Sequence, residues 1–218
     1  PRSCKMLVKQ LIVAAFLLAM PSPVVCFGHD DNSDMTIADI LIEISDGVED
    51  FDRNRRDYDI LLKAVVTTNL TGPLSNPDAT LTVFAPNDNA FYKLAKDLGY
   101  SSSKGYNETE IFDFLVGALE DLDSGASAVA VLKNVLLYPV APESLTPLTI
   151  LEKAYNEEEI ESLLVGATIE PYLDWFQIRL RDKDPDLSDP SITFPLNLKA
   201  INGAIHTITR VLVPVDIP

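Results

Sequence analysis

Cysteine is almost missing from this chain: among 218 residues only Cys4 and Cys26 carry a thiol, and both lie near the amino end. Everything after residue 26 must therefore hold together by packing, without a disulfide, a thiolate metal ligand or a cysteine nucleophile. Histidine is just as scarce, with His29 and His206 alone. A cysteine–histidine pair and a multi-histidine zinc site are excluded from the body of the chain, and a serine–histidine–aspartate triad would have to use His206. No G-x-S-x-G, G-x-x-x-x-G-K-[ST] or G-x-G-x-x-G pattern occurs. Basic residues are few, 17 against 33 acidic ones, for a net charge of −16. Such a surface repels nucleic acid and anionic membranes and suits solubility, cations or basic partners.

Long apolar runs are also lacking, with one exception. Leu11 to Met20 is uninterrupted, preceded by Arg2, Lys5 and Lys9 and followed by Pro21 and Pro23. Basic flank, short apolar run and helix-breaking end form the pattern of a secretory signal peptide over residues 1–28, with Met6 as its start and cleavage after Cys26 or Gly28. An uncleaved membrane anchor is the alternative, but the strongly apolar part is shorter than a span requires. Cleavage would leave roughly 190 residues, enough for one domain with a sizeable core. It would remove both cysteines and three basic residues, taking the net charge from −16 to −19.

Beyond it, residues 29–35 read as a mobile, aspartate-rich lead-in. Thr36, Asp39 and the spacing of Ile37, Ile40, Leu41 and Ile44 predict a capped helix stopped at Gly47. Tyr58, Leu61, Leu62 and Val65 predict a second helix, ending in turns at Thr71-Gly72-Pro73 and Asn76-Pro77. Leu81 to Ala85 reads as a buried strand, and Pro86-Asn87-Asp88 starts a helix carrying Phe91, Leu94, Ala95 and Leu98. Asn107 caps a further helix with Ile111, Leu115, Ala118, Leu119 and Leu122 inward. Another runs from about Ala126 to Asn134 into Val135-Leu136-Leu137-Tyr138, which reads as a strand ended by Pro139. Glu161 to Ile169 and Leu173 to Leu180 read as strands, with Ile150 to Leu164 ambiguous. Ile192 to Leu198 and Ala204 to Val213 are the clearest strands, joined by the hairpin signal Asn202-Gly203. Helices early and strands late predict an α+β domain over residues 36–214.

Three of these stretches carry a resemblance. Thr82-Val83-Phe84-Ala85-Pro86-Asn87-Asp88-Asn89-Ala90-Phe91 resembles the first signature of the fasciclin domain family. Ile201-Asn202-Gly203-Ala204-Ile205-His206-Thr207-Ile208 through Pro214 resembles its second, and Leu136-Leu137-Tyr138-Pro139-Val140 sits at its tyrosine–histidine strand. The resemblance implies a wedge of β-strands flanked by several helices, an extracellular adhesion role, no cofactor and no enzyme activity. It implies a partner that is a matrix or cell-surface protein or polysaccharide, with membrane contact only through an uncleaved signal. Three positions depart from the family pattern. Pro139 replaces the histidine, Thr209 replaces an aspartate, and Asn197-Leu198 replaces the acidic–aliphatic pair that animal members present to integrins. The last change removes the carboxylate such a mechanism needs, and leaves Asn197 and Leu198 as the residues at a candidate partner-binding position.

Few residues offer themselves as sites. His206 reads as a strand histidine bonded to backbone. Asp182, Asp184, Asp186 and Asp189 alternate as calcium ligands do, but Leu187 and Thr193 stand where that loop needs glycine and a bidentate glutamate, so a solvated loop is the simpler reading. Asn69-Leu70-Thr71 and Asn107-Glu108-Thr109 are glycosylation sequons, the second competing with a helix cap. Tyr172, Trp175 and Phe176 form an aromatic cluster that reads mainly as core, with an exposed patch for a partner as the alternative. The leading expectation is a secreted, non-catalytic adhesion module. A secreted enzyme or small-ligand carrier with a pocket near His206, and an acidic calcium-binding structural protein, are the alternatives.

Overall fold

The computed structural model describes residues 34–47, 51–102, 105–122 and 127–215; the expected signal peptide and most of the lead-in lie outside the described residues. Helix α1 (Ile37–Ile44) begins as its sequence requires, with Thr36 and Asp39 closing a reciprocal capping box. Helix α2 (Asp59–Thr67) follows, with Tyr58, Leu61, Leu62 and Val65 all buried. Thr71–Ser75, expected as a turn, forms a short helix, α3. Proline at its third position costs nothing there, because first-turn amides have no intrahelical acceptor, and Leu74 is buried.

Strand β1 (Leu81–Pro86) is buried at every position. It leads into α4 (Asp88–Asp97), capped by the Asn87 side chain on the Ala90 N–H at 3.0 Å. Helix α5 spans Glu108–Leu122 and α6 spans Ala128–Leu137. The expected strand at Val135–Tyr138 is thus the end of a helix: Leu132, Val135 and Leu136 continue one buried stripe at helical spacing. Only Val140–Ala141, beyond Pro139, is extended (β2).

Helix α7 (Pro147–Asn156) resolves the ambiguous stretch. Strands β3 (Ile160–Glu161), β4 (Thr168–Asp174) and β5 (Gln177–Arg181) form an antiparallel three-stranded sheet in that order. Neither long strand expected here exists. The chain reverses between residues 161 and 168, and again at Trp175-Phe176, where Asp174 pairs with Gln177. Strands β6 (Ile192–Ala200) and β7 (Gly203–Ile208) complete a four-stranded sheet of order β2-β1-β7-β6. Within it β1 and β7 run parallel, and the other neighbours are antiparallel. Residues 209–213 leave the sheet, so β7 is shorter than expected, although Val211, Leu212 and Val213 stay buried.

Leu81, Val83, Ala85 and Ile205 join the core formed with α1, α2, α4, α5 and α6. Tyr58, fully buried, bonds to Thr207 Oγ1 at 2.6 Å; Thr207 in turn donates to the Pro195 carbonyl, tying the helices to β7 and β6. The sheet and the first helix meet at Asn202-Gly203. Asn202 Oδ1 accepts the Ile37 N–H at 2.9 Å, while its Nδ2 donates to the carbonyls of Leu74 (2.9 Å) and Asn76 (3.0 Å). The neighbouring Ile201 N–H donates to the carbonyl of Met35, which belongs to the expected lead-in. Gly203 has φ +146°, and a Cβ there would stand 1.8 Å from the Leu81 carbonyl oxygen. Gly203→Ala is therefore expected to cost about 3 kcal/mol or more in urea unfolding; a cost below about 1 kcal/mol would show that this close approach is not needed.

Candidate functional site

His206 is fully buried on β7, its ring 5.9 Å from that of Phe84. Its Nδ1 accepts the Asn197 N–H at 3.1 Å, which requires the neutral tautomer with hydrogen on Nε2. That Nε2 then donates to the Leu145 carbonyl at 2.8 Å. Burial, above all, holds the imidazole below its usual pKa, against the pull of the Leu145 bond. A second proton would also set an N–H against the Asn197 N–H.

The same contact explains Asn197. The register of β6 against β7 shifts between Leu196 and Leu198, and Asn197 occupies the bulge with φ 58°. Its amide is withdrawn from the ladder and given to the histidine, while Leu198 packs partly buried against the core.

The aspartates of residues 182–189 are largely spent on building their own loop. Asp182 accepts the Asp184 N–H through Oδ1 at 3.1 Å and the Val213 N–H through Oδ2 at 2.8 Å, and burial lifts its pKa to about 6. Asp184 Oδ1 accepts the amides of Asp186 and Leu187, and Asp189 Oδ2 accepts the Tyr172 hydroxyl at 2.7 Å. Asp186 faces solvent. Among the described residues, these four do not converge within the reach of a single metal ion.

The aromatic cluster divides. Tyr172 lies half-buried on β4, with the Arg181 guanidinium 4.8 Å over its ring. Trp175 and Phe176 are the tip of the β4–β5 hairpin, 90% and 69% exposed. The expectation that they belong mainly to the core is overturned, because the chain turns at these residues instead of running through them. Trp175 has φ 54°, a left-handed conformation that Gly, Asn or Asp would adopt more cheaply. Arg179–Asp174 (3.1 Å) and Arg181–Glu170 (2.7 Å) pair along the strands below. An antiparallel bridge joins Arg179 to Ser191. Phe176 and Phe194 each lie three residues from that bridge in the same direction, and Phe194 is 53% exposed.

Asn69, the first sequon acceptor, is exposed at the end of α2 with φ 59°. Asn107 is half-buried, and its Oδ1 caps α5 by accepting the Glu110 N–H at 3.1 Å.

Sequence reasoning missed one constellation. Asp57, Asp59, Asp88 and Glu108 are all buried, and exposed Asp52 adjoins them. One carboxylate oxygen from each of Asp57, Asp59 and Asp88 lies within 4.8 Å of the others, and Asp52, Asp59 and Glu108 form a second such set. Asp88 Oδ1 accepts the Ile60 N–H at 3.0 Å, and Glu108 Oε2 accepts the Arg53 N–H at 3.1 Å. Both oxygens of Asp59 and one each of Asp57, Asp88 and Glu108 accept no hydrogen bond. The Ser45 hydroxyl tempers Asp59 slightly but does not reach it in hydrogen-bonding geometry. Arg55 stacks on Tyr106 (4.3 Å) and Tyr92 (4.8 Å), and none of the ion pairs among the described residues includes these carboxylates.

Burial chiefly, and then mutual repulsion, push the carboxyls of Asp57 and Asp88 well above the usual range and that of Asp59 up to about 7. Asp57 and Asp88 are close enough to share a proton. The only sequence trace of this cluster was that Asp88 stood at a helix start; nothing local showed that three helix starts meet.

The mixed four-stranded sheet, its helical layer and the three-stranded sheet define an α+β domain. Residues 56–214 match the family described as the Fasciclin domain, and the chain belongs to that family. Its fold is similar to the solved FAS1 domain pair from the insect cell adhesion molecule Fasciclin I, with TM-score 0.54 and 15% sequence identity. That similarity covers 82% of this chain and 51% of the other, so the present chain spans about half the length of that domain pair; at this identity it shows the fold alone. No curated protein matches at a significant level.

His206→Asn is expected to cost about 2 kcal/mol at pH 7.5 by stranding the Leu145 carbonyl and the Asn197 amide. The folded pKa lies below the unfolded value of 6.5. The wild type therefore loses stability as pH falls through about 6.5 and the variant does not, so the gap should narrow by pH 5. Denaturant unfolding of both proteins at the two pH values checks this.

Proposed function

We propose that this chain is a secreted, non-catalytic adhesion module that docks on a matrix or cell-surface protein or polysaccharide through the tip of the β4–β5 hairpin. Fasciclin domains are associated with adhesion in extracellular proteins, and the apolar run behind a basic flank at the amino end supports export. Among the described residues no helix is long and apolar enough to cross a membrane. Both ring nitrogens of the buried His206 are committed to backbone, which favours binding over catalysis.

The observation that carries the reading is Trp175. An indole placed in solvent gains nothing from burial, and its left-handed backbone adds a cost of about 1 kcal/mol or more. A fold that bears both costs at one residue gives up stability for something the tip does in a complex. Flat aromatic faces stack on sugar rings or anchor protein partners, and Phe176 and Phe194 extend the apolar area. The acidic remainder of the surface disfavours anionic partners.

Single domains adhere weakly, so the test uses protein displayed at high density on beads against matrix polysaccharides, matrix proteins and cells. Trp175→Ser with Phe176→Ser is expected to weaken capture about ten-fold or more and to leave the melting temperature unchanged or raised. Equal capture by parent and variant would remove the hairpin tip from the interaction. Failure of the parent to bind any surface would remove the adhesion reading itself.

A further inference from the structure

The carboxylates at the start of α2, α4 and α5 pose a charge problem that the chain does not solve by itself. Asp59, Asp88 and Glu108 each open a helix of at least nine residues, and Asp57 precedes the first of these. A helix amino end offers about half a positive charge. Three of them supply roughly +1.5 against four buried carboxylates, with Asp52 beside them. Before any proton binds, about two and a half positive charges are missing, and among the described residues no lysine or arginine makes an ion pair there.

A second observation points the same way. Asp59, only 6% exposed, presents two oxygens with no hydrogen-bond partner among the described residues. Glu108, 1% exposed, presents one more. Helix caps and loop geometry explain the bonded oxygens but not these.

We propose that this cluster is a calcium site, its ligands drawn from Asp52, Asp57, Asp59, Asp88 and Glu108, with Asp59 common to both sets. Oxygens on opposite sides of a calcium ion lie roughly 4.6–5.2 Å apart, from bond lengths of about 2.3–2.6 Å. In each set the oxygens lie within 4.8 Å of one another, close enough for one calcium ion to bridge them, whereas magnesium demands a near-ideal octahedron and usually keeps several waters instead of filling an all-carboxylate cage. Hard carboxylate oxygens without nitrogen or sulfur donors select the same class of cation. Asp52 is exposed and offers an entry beside the buried carboxylates, and the loop of residues 51–57 is held against them by the Arg53 N–H on Glu108.

Binding would also fasten that loop. It already gives the Asp57 carbonyl to the Asp88 N–H at 3.0 Å and the Arg55 carbonyl to the Asn89 N–H at 2.9 Å. A cation would therefore join the residues before α2 to the first turns of α4 and α5.

The test uses the full chain, stripped with chelator and followed by calorimetric titration and thermal unfolding at neutral pH. Calcium is expected to bind with half-saturation at or below about 1 mM and to raise the melting temperature by about 5 °C at saturation. Magnesium at the same concentration should raise it far less. Asp59→Asn is expected to lose the calcium response while melting no lower than the metal-free parent, because it removes repulsion. That combination separates a ligand from a merely structural residue. Asp186→Asn, in the other acidic loop, should respond as the parent does. The proposal is overturned by an absence of heat and of any melting shift up to about 10 mM calcium. It is equally overturned by a shift that survives Asp59→Asn, disappears with Asp186→Asn, or is matched by magnesium.

Discussion

The fold depends on a meeting of backbones at Asn202-Gly203. Gly203 brings β7 so close to β1 that the Leu81 carbonyl occupies the place a side chain would need. In return the Asn202 carbonyl accepts the Leu81 N–H at 3.0 Å, which starts the parallel pairing of the two central strands. The Asn202 side chain, 1% exposed, meanwhile binds groups far earlier in the sequence: the first amide of α1, and carbonyls at the end of α3 and just after it. One dipeptide thus sets the register of the central sheet and anchors two helices far away in sequence. No disulfide assists it, so three hydrogen bonds from one buried amide do work that a small secreted domain often gives to a covalent bridge.

That dipeptide was legible in the sequence as a hairpin turn, and it is one. Its wider role was not legible, since nothing local tells which amides a buried asparagine will meet. The same boundary runs through the rest of the chain. Helices with their own caps and stripes, α1 at Thr36–Asp39 and α4 at Asn87, were readable because their signals lie within one or two turns. Val135–Tyr138 was misread because a short aliphatic run fits a buried strand as well as a buried helix, and only the stripe shared with Leu132 decides. Trp175-Phe176 was misread for a related reason. Aromatic residues favour strands, and the turn there contains neither glycine nor asparagine.

His206 and the acidic loop at 182–189 show how candidate chemistry becomes architecture. The imidazole compensates for a bulge: it accepts the amide that Asn197 cannot give to β7. The aspartates of the loop accept amides of their own turn and of Val213, fastening the segment after β7. In each case a local pattern suggested a ligand, while the surroundings supply a backbone partner for the same atoms. The Asp57–Asp59–Asp88–Glu108 cluster is the reverse case. Its members look in sequence like ordinary helix starters, and tertiary structure leaves them short of partners.

The two places where local rules fail fail differently, and the difference bears on what each can do. At the hairpin tip the cost is exposure and backbone strain in a surface turn, so it is relieved only when something outside the molecule covers the indole. At the carboxylate cluster the cost is electrostatic and enclosed, so it is relieved by something small enough to pass beneath the loop of residues 51–57. A proton meets part of that requirement, and the raised pKa of Asp88 marks where it would reside. One proton on the Asp57–Asp88 pair still leaves the oxygens of Asp59 and Glu108, close to one another, with no hydrogen-bond donor among the described residues. The chain is short of basic residues overall, 17 against 33 acidic, so the missing charge at this junction is the local form of an imbalance present throughout the sequence.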